Sequence, residues 1–318
     1  MAGSETRRRL IGRIAAAGGL MLASPAFASL PPQAEPFDPA LEPDLPPTTI
    51  DTPGGPFDHV VAPVYLNGRG PFRFMVDTGA NTSCVSARLA DSLKLPQGRV
   101  LHVNTVVGRR PRASVHIDEL LVSDRARRNV EAPVLPMAGF DIDGVLGIDW
   151  LKGQRLVFAF KGRSIEIGKS RRETSREGRV VVPARRKSGQ LTIVDADLSG
   201  ERINAMIDSG SQFSLGNLAV RRLIERQDPT ARSRATKVGL VSIAGESFSG
   251  DQLYVPFMRL GGLTLGNVPV VFTDVPVFKL WDLHDKPTMM LGIDLLTLFD
   301  NVALDFGRSS VRFDLAGA

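Results

Sequence analysis

The sequence predicts a mainly β protein made of two homologous lobes related by pseudo-twofold symmetry. Three observations predict it. An apolar strand ending in an aspartate occurs twice, as Phe72-Arg73-Phe74-Met75-Val76-Asp77-Thr78-Gly79-Ala80 and as Ile203-Asn204-Ala205-Met206-Ile207-Asp208-Ser209-Gly210-Ser211. Each copy runs on to a second match, Val145-Leu146-Gly147-Ile148-Asp149 and Met290-Leu291-Gly292-Ile293-Asp294, and then to Gly-Arg-Ser at Gly162 and at Gly307. A stretch rich in Arg and Lys separates the copies. One such match could arise by chance, but a series in the same order marks a duplicated unit.

The elements follow in chain order. Residues 1–28 read as an export signal. They combine a basic start at Arg7-Arg8-Arg9, an apolar stretch from Ile14 to Ala23, and Ala26-Phe27-Ala28 as a small-x-small cleavage signature. Thr6-Arg7-Arg8-Arg9-Leu10-Ile11 resembles the twin-arginine export pattern, so a periplasmic or secreted location is expected. Residues 29–57 form a Pro-rich lead. Residues 29–56 hold nine prolines and five acidic residues with no Lys or Arg, which excludes helix and sheet interior and predicts an extended tether, a pro-segment being the alternative.

The first lobe is expected over residues 58–168, a basic linker over 169–187 and the second lobe over 188–318. Asn67-Gly68 is a hairpin turn signal ahead of the first aspartate, and Ser199-Gly200 stands in the matching place ahead of the second. Phe72, Phe74 and Val76 alternate along one strand, and Ile203, Ala205 and Ile207 along its counterpart. Residues 156–160, 253–255 and 268–272 also read as strands. Short helices are expected at 86–93 and 217–226 and after each Leu-Gly-Ile-Asp. The linker carries eight basic residues against Glu173 and Glu177, which reads as a solvated connector.

Composition narrows the function. The chain has 318 residues, 43% hydrophobic and 23% charged, ordinary for a globular protein. It has one cysteine, Cys84, and four scattered histidines. Haem attachment, zinc fingers and iron–sulfur ligation are therefore not expected, and neither a metal nor a cofactor is predicted. No apolar run is long enough for an ordinary membrane helix, so no stable span is expected once the signal is cleaved. The formal charge of +5 falls to +2 when Arg7, Arg8, Arg9, Arg13 and Glu5 leave with the signal. No aromatic residues interleave the basic stretch, so nucleic acid is not an expected partner.

The duplicated aspartates suggest a chemistry. A glycine two residues on lets the backbone fold tightly beneath a carboxylate. The intervening Thr or Ser hydroxyl can satisfy buried backbone groups. A pseudo-twofold axis would bring Asp77 and Asp208 face to face, where two close carboxylates share one proton. The ionised member can then activate water while the protonated member polarises a carbonyl.

The Asp-Thr-Gly-Ala and Asp-Ser-Gly-Ser motifs, each with its downstream Leu-Gly block, resemble the aspartic protease superfamily. The single-chain layout is similar to pepsins, and the short lobes are similar to bacterial retropepsin-like proteins. The resemblance implies two acid-protease-like β-barrel lobes and an endopeptidase acting on protein or peptide substrates, as a monomer with an intramolecular dyad. It implies Asp77 and Asp208 as the catalytic pair, Thr78 and Ser209 interlocked beneath them, and Gly79 and Gly210 in the turns. Gly147 and Gly292 would lie where the chain passes behind each acid. Asp149 and Asp294 read as structural, capping short helices.

No tyrosine stands where a pepsin-type flap would carry one. The flap candidates are residues 105–114, with Gly108, Arg109, Arg110 and Pro111 at the tip, and residues 241–250, with Gly245 at the tip. Arg109, Arg110 and Arg112 would either favour acidic substrates or remain solvated hairpin charges. Cys84 reads as a small core residue rather than a nucleophile, and Trp150 and Trp281 as packing. Two rival readings remain: a peptide-binding or scaffold protein with little turnover on the same fold, and a chain that works only as a homodimer.

Overall fold

The computed structural model describes residues 46–52, 59–137, 139–151, 153–187 and 190–315. The expected signal at 1–28 lies outside them, as does most of the lead. In the first lobe, β1 (Thr48–Asp51) precedes β2 (Val61–Leu66) and β3 (Arg69–Val76). Asn67 and Gly68 join β2 to β3 with φ of 49° and 74°, the pair of positive angles that a two-residue hairpin of matching twist requires. Then come β4 (Cys84–Ser86), α1 (Ala87–Leu93), β5 (Leu101–Thr105), β6 (Gly108–Arg112), β7 (Ser114–Val122), β8 (Arg125–Leu135) and β9 (Gly144–Leu146). Strands β2-β3-β9-β4-β8-β7 close into a barrel. Strand β3 runs parallel to β9, with Met75 beside Val145 and Val76 beside Leu146. Its last three residues, Phe74, Met75 and Val76, are all buried, which is why this stretch reads as an apolar run.

The second lobe repeats the plan. After β10 (Arg155–Ala159) and β11 (Ser164–Gly168) the chain enters β12 (Arg179–Lys187), β13 (Gln190–Leu198) and β14 (Glu201–Ile207). It continues through β15 (Leu215–Gly216), α2 (Leu218–Gln227), β16 (Thr236–Val241), β17 (Ser247–Leu260), β18 (Leu263–Phe272), α3 (Val277–Leu280), β19 (Thr288–Leu291) and α4 (Ile293–Leu296). Strands β13-β14-β19-β15-β18-β17 close on one another through the β13–β17 pairing. The strand order is that of the first barrel, and Met206 again lies beside its partner, Met290, in a parallel pair. The duplicated sequence is thus a duplicated topology.

A third sheet joins the lobes. Its order is β1-β11-β10, then β20 (Phe299–Asp305) and β21 (Ser310–Leu315), then β12. Strands β10 and β20 pair antiparallel, Val157 opposite Ala303 and Phe158 opposite Val302, so the pseudo-twofold axis passes between these two pairs. Both Gly-Arg-Ser repeats fall in the hairpin turns of this sheet, with Arg163 and Ser309 at positive φ.

Helices α1 and α2 form where expected. Ser86 and Asn217 cap them, accepting from the backbone N–H of Leu89 and Val220. Three expectations need correction. Thr48–Asp51, within the Pro-rich lead, is a strand; it lies at the edge of the joining sheet, the position a proline-rich neighbourhood tolerates. The linker expected over 169–187 extends only to residue 178, because 179–187 is β12. Its first half pairs with β21 and its second half with β13, burying Val182 between its charges. The connector is not simply solvated either: Glu173 accepts from Arg155 and Arg312, both buried, and so ties it to strands of both lobes. Finally, Leu-Gly-Ile-Asp leads to a helix only in the second lobe. The first lobe forms i to i−3 turns there, such as Trp150 N–H to Gly147 C=O, where the second adds i to i−4 bonds such as Leu296 N–H to Gly292 C=O.

Candidate active site

Each aspartate sits just past an apolar strand and is held from behind by the neighbouring parallel strand. Asp77 N–H donates to Leu146 C=O at 2.9 Å, and Asp208 N–H donates to Leu291 C=O at 3.0 Å. The tight turn then aims amides at the carboxylate. Gly79 N–H and Ala80 N–H donate to Asp77 Oδ1 at 2.7 and 3.0 Å, and Gly210 N–H donates to Asp208 Oδ1 at 3.0 Å.

The two loops lock together through their hydroxyls. Thr78 Oγ1 donates to Ile207 C=O and accepts from Ser209 N–H, at 3.1 and 3.0 Å. Ser209 Oγ donates to Val76 C=O and accepts from Thr78 N–H, at 2.8 and 3.1 Å. Both side chains are buried, at 2% and 0% exposure, so each hydroxyl satisfies backbone groups that water does not reach. The interlock sets the carboxylates against each other. The space a side chain on Gly79 would need is taken by the Asp208 carboxylate, and that on Gly210 by the Asp77 carboxylate.

The pair is electrostatically unequal. Burial pushes the Asp77 carboxyl above its ordinary range, partly offset by the Gly79 amide and by a hydrogen bond from Asp208. Burial pushes Asp208 further, and the adjacent Asp77 charge adds to it. Both carboxyls are thus held above the ordinary range, and two such close neighbours do not readily ionise together.

A second layer braces each loop. Ser83 Oγ accepts from Gly147 N–H at 3.0 Å and donates to Asp149 Oδ1 at 2.8 Å. Ser214 Oγ accepts from Gly292 N–H at 2.9 Å and donates to Asp294 Oδ1 at 2.7 Å. Gly147 and Gly292 press against the backbone of Thr82 and of Phe213, leaving no room for a side chain. Asp149 and Asp294 are thus structural but are not helix caps: Asp294 lies inside α4, whose cap position is Gly292, and the first lobe has no helix there. The two serines escaped the sequence reading. Their signal is the repeat itself, since each stands six residues after its aspartate.

Two hairpins roof the site. The first, β5–β6, turns at Val106-Val107, so Gly108, Arg109 and Arg110 belong to strand β6 and not to the tip as expected. Arg109 and Arg110 are exposed and do not line the cavity, which leaves them as solvated hairpin charges. The second hairpin, β16–β17, turns through residues 242–246, with Gly245 at a φ of 81°. Each tip packs on the opposite lobe. Val106 joins an apolar cluster with Val277 and Trp281, while Ala244 joins one with Met75 and Leu135. Glu246 accepts from Thr105 Oγ1 at 2.9 Å and pairs with Arg112 at 3.5 Å, linking the hairpins directly.

Beneath the roof lies a cavity of about 720 Å³ with Asp77 and Asp208 in its lining. Its walls are mostly apolar. Cys84 is part of a wall, and burial raises its thiol far from the range in which a thiolate forms, as a core residue requires. Trp150 is buried in the core, whereas Trp281 is buried and also lines the cavity. Among the described residues no three His, Cys, Asp or Glu side chains group as metal ligands. No helix among them is long and apolar enough to cross a membrane.

Comparison with known families agrees with this geometry. Residues 62–153 match the family described as gag-polyprotein putative aspartyl protease, and residues 194–295 match the family described as aspartyl protease. No curated protein matches the chain significantly. The chain belongs to the aspartic protease superfamily, with two retropepsin-like aspartyl protease domains in tandem.

Proposed function

We propose that this protein is an endopeptidase in which Asp77 and Asp208 of one chain hydrolyse peptide bonds by activating water between them. The observation that carries the reading is the pair of carboxylates that one interlock sets against each other in the cavity. A substrate strand lies extended under the hairpins. Asp77, ionised, takes a proton from water as the oxygen attacks the carbonyl carbon. Asp208 gives its proton to the carbonyl oxygen, forming a gem-diol. On collapse Asp77 gives its proton to the amide nitrogen, Asp208 takes one from a gem-diol hydroxyl, the C–N bond breaks, and a carboxyl and an amine leave. The amides of Gly79, Ala80 and Gly210 keep the carboxylates oriented throughout. Thr78 and Ser209 position the pair without touching substrate.

We further propose that the protein acts as a monomer after export. The intramolecular interlock supports the first part, and the signal-like residues 1–28 support the second. The test is incubation of protein beginning at Ser29 with a mixed peptide library from pH 3 to pH 7.5, read by mass spectrometry, with Asp77→Asn and Asp208→Asn alongside. Cleavage lost in both variants and confined to the monomer peak of a sizing column is the expected result. Cleavage that survives either substitution overturns the mechanism. A folded wild type that binds peptides without cutting them would favour the scaffold reading.

A further inference from the structure

The duplication lets the two walls of the cavity be compared position by position. Cys84 pairs with Val145 across β4 and β9, and Leu215 pairs with Met290 across β15 and β19, so these are equivalent sites. Thr82 and Phe213 stand five residues after their aspartates, and Met75 and Met206 two before. At three of these four pairs the second lobe carries the bulkier side chain. Thr82 answers to Phe213, Cys84 to Leu215, and Val145 to Met290, and all six line the cavity.

The fourth pair is identical in sequence and different in place. Met75 lines the cavity, whereas Met206 does not and is a member of the buried cluster that holds Val277 and Trp281. The cause is the connection before the Leu-Gly block. It spans residues 136–143 in the first lobe and residues 273–287, with α3, in the second. The longer connection adds Val277, Leu280 and Trp281 to its wall. The shorter one contributes Phe140, half-buried, to the opposite wall.

We propose that the cavity reads the two residues flanking the scissile bond unequally: the first-lobe side accepts a large apolar side chain and the second-lobe side a small one. Thr82, Cys84 and Val145 are the smaller member of each pair on one side, where Met75 and Phe140 also stand, and Phe213, Leu215 and Met290 are the larger on the other, with Trp281 added. The proposal rests on the endopeptidase reading for its cleavage test. Its binding test does not.

The probe is a panel of peptides that differ only in the size of the two residues at the cut, with Leu or Phe set against Gly or Ala in each place. Wild type should cleave the large–small order well and the reverse order poorly. Thr82→Phe places bulk at an exposed position without disturbing the core, and it should lower kcat/KM for the large residue by about 10- to 200-fold while sparing an all-small peptide. Trp281→Ala should instead admit a large residue on the second-lobe side. Equal tolerance of size at both places, or a Thr82→Phe profile identical to wild type, overturns the proposal. If wild type cleaves nothing, the same panel is titrated by calorimetry. Order-dependent affinity then supports the unequal walls while the endopeptidase reading fails, and equal affinity or none overturns them.

Discussion

The acid loop of the first lobe and that of the second are nearly superimposable in chemistry, whereas the walls a few residues away are not. Asp77 and Asp208, Thr78 and Ser209, Ser83 and Ser214, Asp149 and Asp294 make the same bonds to equivalent partners. The difference shows which parts of the duplication are coupled. Thr78 and Ser209 each bond to the other lobe, so a change in one needs a change in its mate. The wall residues are not part of that lock, and these positions have diverged in bulk.

The largest effect that would break this symmetry lies at the dyad. Asp77→Asn and Asp208→Asn should each lower kcat by at least about 10²- to 10⁴-fold, the worth of a positioned acid or base. The two should differ in stability. Asp208 is raised well above its ordinary value of 3.8. A raised acid holds its proton more tightly when folded, so its contribution is complete below the unfolded value and is lost as pH rises through the folded one. Denaturation of wild type should therefore become easier across that window. Asp208→Asn, which cannot ionise, should show a flatter profile and greater stability at neutral pH than wild type. Parallel profiles would mean that the proton does not rest on Asp208.

The interlock comes next. Thr78→Val orphans Ser209 N–H, and Ser209→Ala orphans Thr78 N–H, each with a buried carbonyl besides. An unsatisfied buried group costs about 1–3 kcal/mol, so each variant should lose about 2–5 kcal/mol in chemical denaturation. Equal losses sharpen the comparison. A loss confined to one variant would mean that only one lobe depends on the lock. The braces are smaller. Ser83→Ala and Ser214→Ala each orphan one glycine amide, Gly147 or Gly292, and should cost about 1–3 kcal/mol apiece.

Much of this was legible in the sequence, for a physical reason. The strand, aspartate, hydroxyl and glycine must all be present in each copy for the lock to close, so the repeat carries the site. The strands that end in each aspartate were legible because the residues before Asp77 and Asp208 form buried apolar runs. What escaped depends on partners distant in sequence. Serine is common, and only the strand passing behind Ser83 and Ser214 gives them a task. Thr48–Asp51 and β12 carry β-branched residues, but one is set among prolines and the other within a run of basic residues, and those surroundings masked them. The hairpin tip was misplaced because Gly108-Arg109-Arg110-Pro111 has turn chemistry. Val106 sits at the turn instead because its side chain packs on the opposite lobe.

That misplacement yields the smallest expected effect, and it separates the two hairpins. The second hairpin directs a charge inward, where Glu246 meets Thr105 and Arg112. The first directs Arg109 and Arg110 outward on β6, away from the cavity lining. Surface charges of this kind change stability by no more than about 0.5 kcal/mol. The double variant Arg109→Ala, Arg110→Ala should therefore melt as wild type does and should cut acidic and neutral peptides in an unchanged ratio. A selective loss of activity on acidic peptides would place those guanidinium groups over the substrate. The roof would then have to move, during turnover, to a position different from the one in which Val106 rests on the second lobe.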